Sequence, residues 1–295
     1  MSDQAQTLRQ IVSAIHQQAK PSGSHAAKIV TVASGKGGVG KSNFTLNFAL
    51  ALQSLGRRVL VFDADIGMAN IDVLMGTSAP YNLIHLLRRE KTISEIVQKG
   101  AGALPYIAGG SGMAELFRLS EEDLNYFADQ VNEISGDMDY IFFDTGAGLS
   151  KENMKFIMSA DECLVVTTPE PTSMTDAYAL IKVVHGTDND TKFKLIVNRV
   201  ENEAEATHVA NSIQLTTRRF LQLDIPMLGY MSDDRHVVQA VKKQTPFSLA
   251  FPGSQAARDL RRMAGQYASI PAETGRGALT GIKGFMQKWM KRTAK

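Results

Sequence analysis

The 295-residue chain is 44% hydrophobic with a formal net charge of +2, enough for one large α/β domain or two small ones. No stretch approaches 18 consecutive apolar residues, and the opening MSDQAQTLRQ has no basic run ahead of an apolar core, so neither a transmembrane helix nor a secretory signal is expected. The one cysteine, Cys163, lies in an apolar run and reads as a reduced, buried, cytosolic thiol; an iron–sulfur cluster shared by two subunits would need two cysteines per chain.

In chain order, residues 2–19 put Ala5, Leu8, Ile11, Val12 and Ile15 on one helical face, with Ser2 or Asp3 as cap. Lys20-Pro-Ser-Gly-Ser24 interrupts the pattern. Residues 1–19 are therefore a separate helix and 20–27 a linker. Residues 28–270 alternate strand-like and helix-like runs, which predicts a doubly wound, mostly parallel sheet with helices on both faces. Strands are expected over 29–34, 58–63, 104–108, 139–144, 162–168, 193–199 and 226–230. Helices are expected over 41–55, 81–88, 120–134, 150–159, 173–185, 203–221, 234–243 and 254–268. Residues 271–278, with Pro271, Gly275 and Gly277, read as a second linker, and 279–295 as a terminal helix.

That last helix is amphipathic. At 100° per residue, Leu279, Ile282, Phe285, Met286, Trp289 and Met290 fall within about 140° of arc. Gln287, Lys288, Lys291 and Arg292 lie opposite. After Glu273 there are six basic residues and no acidic one, which leaves 26 basic against 30 acidic in the rest. An acidic body disfavours direct nucleic-acid binding, whereas a basic tail suits anionic lipid. Two readings stand: a helix lying in a membrane interface through Ile282, Phe285, Met286, Trp289 and Met290, or a helix docked on the body or in a partner's groove. Gly281 and Gly284 lower its intrinsic helicity, which suits folding on lipid.

Chemistry concentrates in Gly35-Lys36-Gly37-Gly38-Val39-Gly40-Lys41-Ser42, a G-x-x-x-x-G-K-[ST] phosphate loop between a β-branched strand and an apolar helix. Its glycines let backbone N–H groups surround phosphate oxygens, and the helix start at Ser42 and Asn43 adds partial positive charge. Lys41 is expected to neutralise the β- and γ-phosphates, and Ser42 to ligate Mg²⁺. Lys36 is a second loop lysine that this pattern does not require.

The KGGVGKS form resembles the deviant phosphate loop of the MinD/ParA ATPase superfamily. The resemblance implies that Lys36 reaches across a homodimer to the partner's nucleotide, in the manner of an arginine finger. The alternative is a solvated loop lysine. Asp65, in the strand exit Asp63-Ala64-Asp65-Ile66-Gly67, resembles the family residue that orients the attacking water, and Asp63 is placed to hold a Mg²⁺-bound water. Asp144, ending Tyr140-Ile141-Phe142-Phe143, resembles the outer-shell Mg²⁺ carboxylate of the second switch. Gly146 and Gly148 permit backbone N–H groups near the γ-phosphate.

Asn198 resembles the family's adenine-contacting residue, and Ser232 and Asp233 lie in the loop that resembles its adenine lid. Relatives usually have proline where this chain has Ser232. Arg199-Val200-Glu201 after Asn198 breaks the guanine-specific pattern, which favours ATP. Thr168 to Ser173 corresponds to a stretch near the family's dimer interface, although Ser173 also reads as a simple helix cap.

The front helix, Asp3-Gln4-Ala5-Gln6-Thr7-Leu8-Arg9, resembles the D-Q-A-x-x-L-R segment of flagellar-number regulators of the FlhG/FleN type. There it activates a GTPase of the signal-recognition-particle kind, FlhF, so Asp3, Gln4, Leu8 and Arg9 are candidate partner contacts. The implied protein is a slow, dimer-dependent ATPase using ATP and Mg²⁺. It would work in the cytoplasm and reversibly at the inner face of the membrane, with a cell pole as one site. Further candidate partners are a flagellar transcription regulator and a switch-complex (C-ring) protein. Division-site MinD, ParA-type DNA partitioning and a nucleotide-gated scaffold with little turnover are the alternatives.

Overall fold

The structure is a computed structural model that describes residues 26–65, 70–109, 121–269 and 281–293. The front-helix residues Asp3, Gln4, Leu8 and Arg9, Ile66 to Ala69 and the linker 271–278 lie outside them. The strands are β1 (Lys28–Ser34), β2 (Val59–Ala64), β3 (Gln98–Lys99), β4 (Pro105–Ile107), β5 (Tyr140–Ala147), β6 (Glu162–Thr167), β7 (Phe193–Val200) and β8 (Met227–Ser232). The helices are α1 (Lys41–Ser54), α2 (Ile71–Met75), α3 (Leu83–Leu87), α4 (Ile93–Ile96), α5 (Glu121–Ser135), α6 (Lys151–Ser159), α7 (Pro171–Thr187), α8 (Glu203–Leu221), α9 (Arg235–Lys242), α10 (Phe247–Ala250), α11 (Gln255–Ser269) and α12 (Gly281–Thr293).

One eight-stranded sheet runs β3-β4-β2-β5-β1-β6-β7-β8, parallel except for the short antiparallel β3. Strands covered on both faces need no polar alternation, which is why they read as continuous apolar runs. Successive residues serve opposite cores. Phe142 joins Val30, Val32 and Val61 beneath α1 and α11. Ile141 and Phe143 join Ile29, Leu60 and Phe62 on the other face, beneath α5 and α6. A third cluster lies beneath α7 and α8, built on Ala33, Val165 and Leu195.

The chain order changes direction around β1: β2 and β5 lie to one side, β6 and β7 to the other. In open parallel sheets the ligand crevice forms at the strand C-termini beside such a reversal. The loop after β1 therefore occupies the functional end. Every strand and helix expected from the sequence within the described residues is present, with ends shifted by at most three residues. The short β3, α2, α4 and α10 were not expected.

The C-terminal helix departs from the membrane reading. Ile282, Phe285, Met286 and Trp289 are 1–3% exposed. Phe285 stacks on Phe143 at 4.9 Å and 6°, and Trp289 meets Phe156 edge-on at 4.7 Å. Met290 is half-buried, while Lys283, Gln287, Lys288 and Lys291 face solvent. The docked alternative is thus the arrangement present here. Four of the five residues assigned to lipid are covered by the protein's own aromatic groove, and one stripe cannot face both at once.

Candidate nucleotide-binding site

The loop after β1 approaches α7 closely at its first glycine. A side chain on Gly35 would place its Cβ 2.2 Å from the carbonyl of Asp176, so only glycine fits. Gly40 caps α1 at φ 91°, a left-handed conformation that also favours glycine. The Ser34 hydroxyl donates to the Lys36 carbonyl, and the Gly148 N–H donates to the Ser34 carbonyl. The phosphate loop is thereby tied to the second switch.

Lys41 is nearly buried, and its ammonium lies 2.9 Å from Asp144 Oδ1. The Thr45 hydroxyl donates to the same oxygen at 2.9 Å. Asp144 Oδ2 is buried and makes no hydrogen bond. An uncompensated carboxylate oxygen of this kind is costly unless a ligand satisfies it, and a Mg²⁺-bound water suits it. Ser42 lies in the first turn of α1, on the same element as Lys41. Among the described residues no three His, Cys, Asp or Glu side chains converge as a metal cage. Mg²⁺ commonly takes only one or two protein ligands and completes its shell with phosphates and waters, so the residues present fit it.

Asp63 and Asp144 are register partners on β2 and β5. Burial first, then the Asp144 charge, pushes the Asp63 carboxyl up to about 7. Three N–H groups oppose that rise. Asp63 accepts from Asn70 at 2.8 Å, Ile71 at 3.0 Å and Asp65 at 3.3 Å. In this structure Asp63 thus braces, by backbone contacts, the start of the run Asn70 to Gly76, which resembles the family's first switch. Asp65 reaches the second switch: its Oδ1 lies 3.4 Å from the place a Cβ on Gly146 would take.

A cavity of ≈ 610 Å³ opens beside the loop, lined by Gly40, Asn43, Asn198 and Arg199 and by the apolar wall of Val237 and Val241. Asn198 donates to the Val39 carbonyl at 2.7 Å, and its Oδ1 accepts the Arg199 N–H at 2.9 Å. One of the expected base-reading residues is therefore also a brace for the phosphate loop. Ser232 gives both its N–H and its hydroxyl to the buried Asp259 of α11, at 3.1 and 2.7 Å. Proline could supply neither donor. The Asp233 N–H donates to the Val200 carbonyl at 2.8 Å.

Two contributors escaped the sequence analysis. Asn153 is buried in α6, and its amide donates to the carbonyls of Gly146, Ala147 and Gly148 at 3.0–3.2 Å. It clamps the second switch, and a lone asparagine in a helical run gave no signal of this. Arg199 sits at φ 57° where the β7–β8 register shifts, which turns it toward the cavity mouth.

Comparison with known proteins agrees with this geometry. Residues 25–268 match the family described as "ParA: NUBPL iron-transfer P-loop NTPase". The iron transfer in that description has no thiol pair to rest on here. Cys163 is the only cysteine, it is buried, and burial pushes its thiol pKa up. Antiactivator FleN of Pseudomonas aeruginosa is 34% identical over 84% of this chain and 88% of its own. Flagellum site-determining protein YlxH of Helicobacter pylori is 34% identical over 90% of each. Among solved structures, the MinC:MinD cell division protein complex of Aquifex aeolicus matches with a TM-score of 0.67 and 26% identity, over 85% of this chain and 99% of that one.

Proposed function

This chain belongs to the ParA/MinD family of P-loop ATPases, and we propose that it is an ATP-gated regulator of flagellar number that dimerises over two Mg-ATP and docks reversibly on the membrane. The relatives' names, an antiactivator and a flagellum site-determining protein, support the flagellar assignment. The observation that carries the switch is the docking of α12. Its lipid-type stripe rests on Phe143, and the next residue in the chain is Asp144. A change at the nucleotide-sensing carboxylate is thus one residue from the stack that holds the tail.

Each site residue has a defined task in this scheme. Loop N–H groups and Lys41 bind the phosphates, and Lys41 leaves Asp144 to do so. Ser42 and Asp144 would hold Mg²⁺, which when bound would supply positive charge beside the γ-phosphate. Asp63 keeps the first switch in shape, and Asp65 orients the attacking water. Gly146 and Gly148 bring N–H groups to the γ-phosphate, and Asn153 fixes their loop. Lys36 reaches the partner's nucleotide. Two tails on one dimer make the second docking intramolecular, which raises avidity by roughly 10²–10⁴. Asp3, Gln4, Leu8 and Arg9 engage FlhF.

Asp65→Ala is expected to bind ATP, dimerise and sediment with anionic vesicles. Deleting 279–295 is expected to abolish sedimentation without reducing ATP binding. Sedimentation that ignores nucleotide, or that survives the deletion, contradicts the switch. A peptide of residues 1–20 is expected to accelerate GTP hydrolysis by FlhF; an unchanged rate removes that partner.

A further inference from the structure

The second loop lysine does not lie over its own phosphate site. Lys36 Nζ is 2.8 Å from Glu170 Oε2 and 3.0 Å from Thr172 Oγ1. Glu170 caps α7 and is followed by Pro171. The surrounding turn is braced. Ser173 is buried, its hydroxyl pairs with Thr167 Oγ1 at 3.0 Å, and it accepts the Thr168 N–H at 3.1 Å. The close contact of Gly35 with Asp176 fixes the loop against the same helix. A braced turn therefore holds a carboxylate against a lysine on a braced loop.

Stability does not explain the pair. Both side chains are exposed, at 40% and 56%, and exposed ion pairs contribute little. We propose that Glu170, assisted by Thr172, parks Lys36 in cis until the larger negative charge of a partner's triphosphate draws it across the dimer interface. This rests on the dimer reading above. Glu170 is then a positioning residue, and its consequence is selectivity. A triphosphate outbids one carboxylate more readily than a diphosphate does, so parking suppresses dimers that carry ADP. The neighbouring cations are Lys36 and, at longer range, Arg199, and they hold the Glu170 carboxyl below the usual range.

Two measurements on the full chain test this. In the nucleotide-free protein, carboxyl NMR is expected to show Glu170 titrating below ordinary glutamate, and returning toward it in Lys36→Ala. Ordinary titration in both proteins overturns the parked contact. In an Asp65→Ala background, sedimentation equilibrium with Mg-ATP is expected to show Glu170→Gln tightening the dimer roughly two- to fivefold, with a larger relative gain in Mg-ADP. The gain is expected to vanish when Lys36 is alanine. A weaker dimer, or the same gain without Lys36, overturns the proposal. A parent with no dimer in Mg-ATP strikes the dimer reading instead, and parking with it as a switch; the titration then decides the contact alone.

Discussion

The helix that follows the phosphate loop and the helix that ends the structure are nearly equal in length, 14 and 13 residues, yet they are held in different ways. Phe44, Leu46, Phe48 and Leu52 of α1 are fully buried, and no residue from Lys41 to Leu52 is exposed. The helix is walled in between the sheet, α10 and α11. By contrast α12 buries one stripe and already wets the other. A helix enclosed all round cannot leave without unfolding the domain. A helix with a solvated face can leave for the free energy of one groove. In the proposed scheme that asymmetry makes one end of the molecule a fixed phosphate site and another a detachable anchor.

The largest effect is expected in α1. Phe48 packs on Phe44 at 4.9 Å, Tyr267 at 5.5 Å and Phe142 at 5.9 Å. Phe48→Ala should lose about 3–5 kcal/mol in urea unfolding. A loss under about 1 kcal/mol would place α1 outside the cooperative core.

The next tests the anchorage of α11, which carries Tyr267. Buried Glu162 accepts from the Tyr267 hydroxyl at 2.6 Å, Lys194 at 3.0 Å and Lys28 at 3.1 Å. Burial pushes its carboxyl up, but Lys28, the Tyr267 hydroxyl and Lys194 outweigh that and hold it below the ordinary range. A depressed acid stabilises fully above its unfolded value of 4.5 and loses the contribution as pH falls through the lower folded value. Glu162→Gln should therefore destabilise by about 1–3 kcal/mol at pH 7, with the difference shrinking on acidification below 4.5. A constant difference down to acid pH would remove the ionic account.

The smallest effect is also the sharpest test of detachability. Trp289 is nearly as buried as Phe48, at 2% exposure against 0%. In a detachable helix, though, the loss stops at the docking free energy. Once Trp289→Ala has undocked α12, adding Phe285→Ala should change global stability by no more than about 0.5 kcal/mol. Losses that keep adding would mean that α12 unfolds with the core.

Local signals made much of this legible in the sequence. The phosphate loop and the positions of Asp65 and Asp144 at the ends of their strands are set by short-range geometry: a glycine spacing, a strand, an aspartate at its exit. Apolar runs gave the sheet because its strands are buried on both faces. What escaped depended on residues distant in the chain. Periodicity gave α12 its apolar stripe but not its cover, which comes from Phe143 and Phe156 on two other elements. The Asn153 clamp and the Glu170–Lys36 pair are likewise contacts between elements. The helices α2, α4 and α10 have four or five residues, too few for a 3.6-residue period to show.

Trp289 is the chain's only tryptophan, so its fluorescence reports the tail alone. Asp65→Ala can be mixed with anionic vesicles carrying brominated acyl chains, first without nucleotide and then with Mg-ATP. The account predicts no quenching in the first condition, where Trp289 is covered by Phe156 and Phe285, and strong quenching in the second. Emission that stays unquenched in Mg-ATP at every lipid composition would contradict a nucleotide-released membrane anchor.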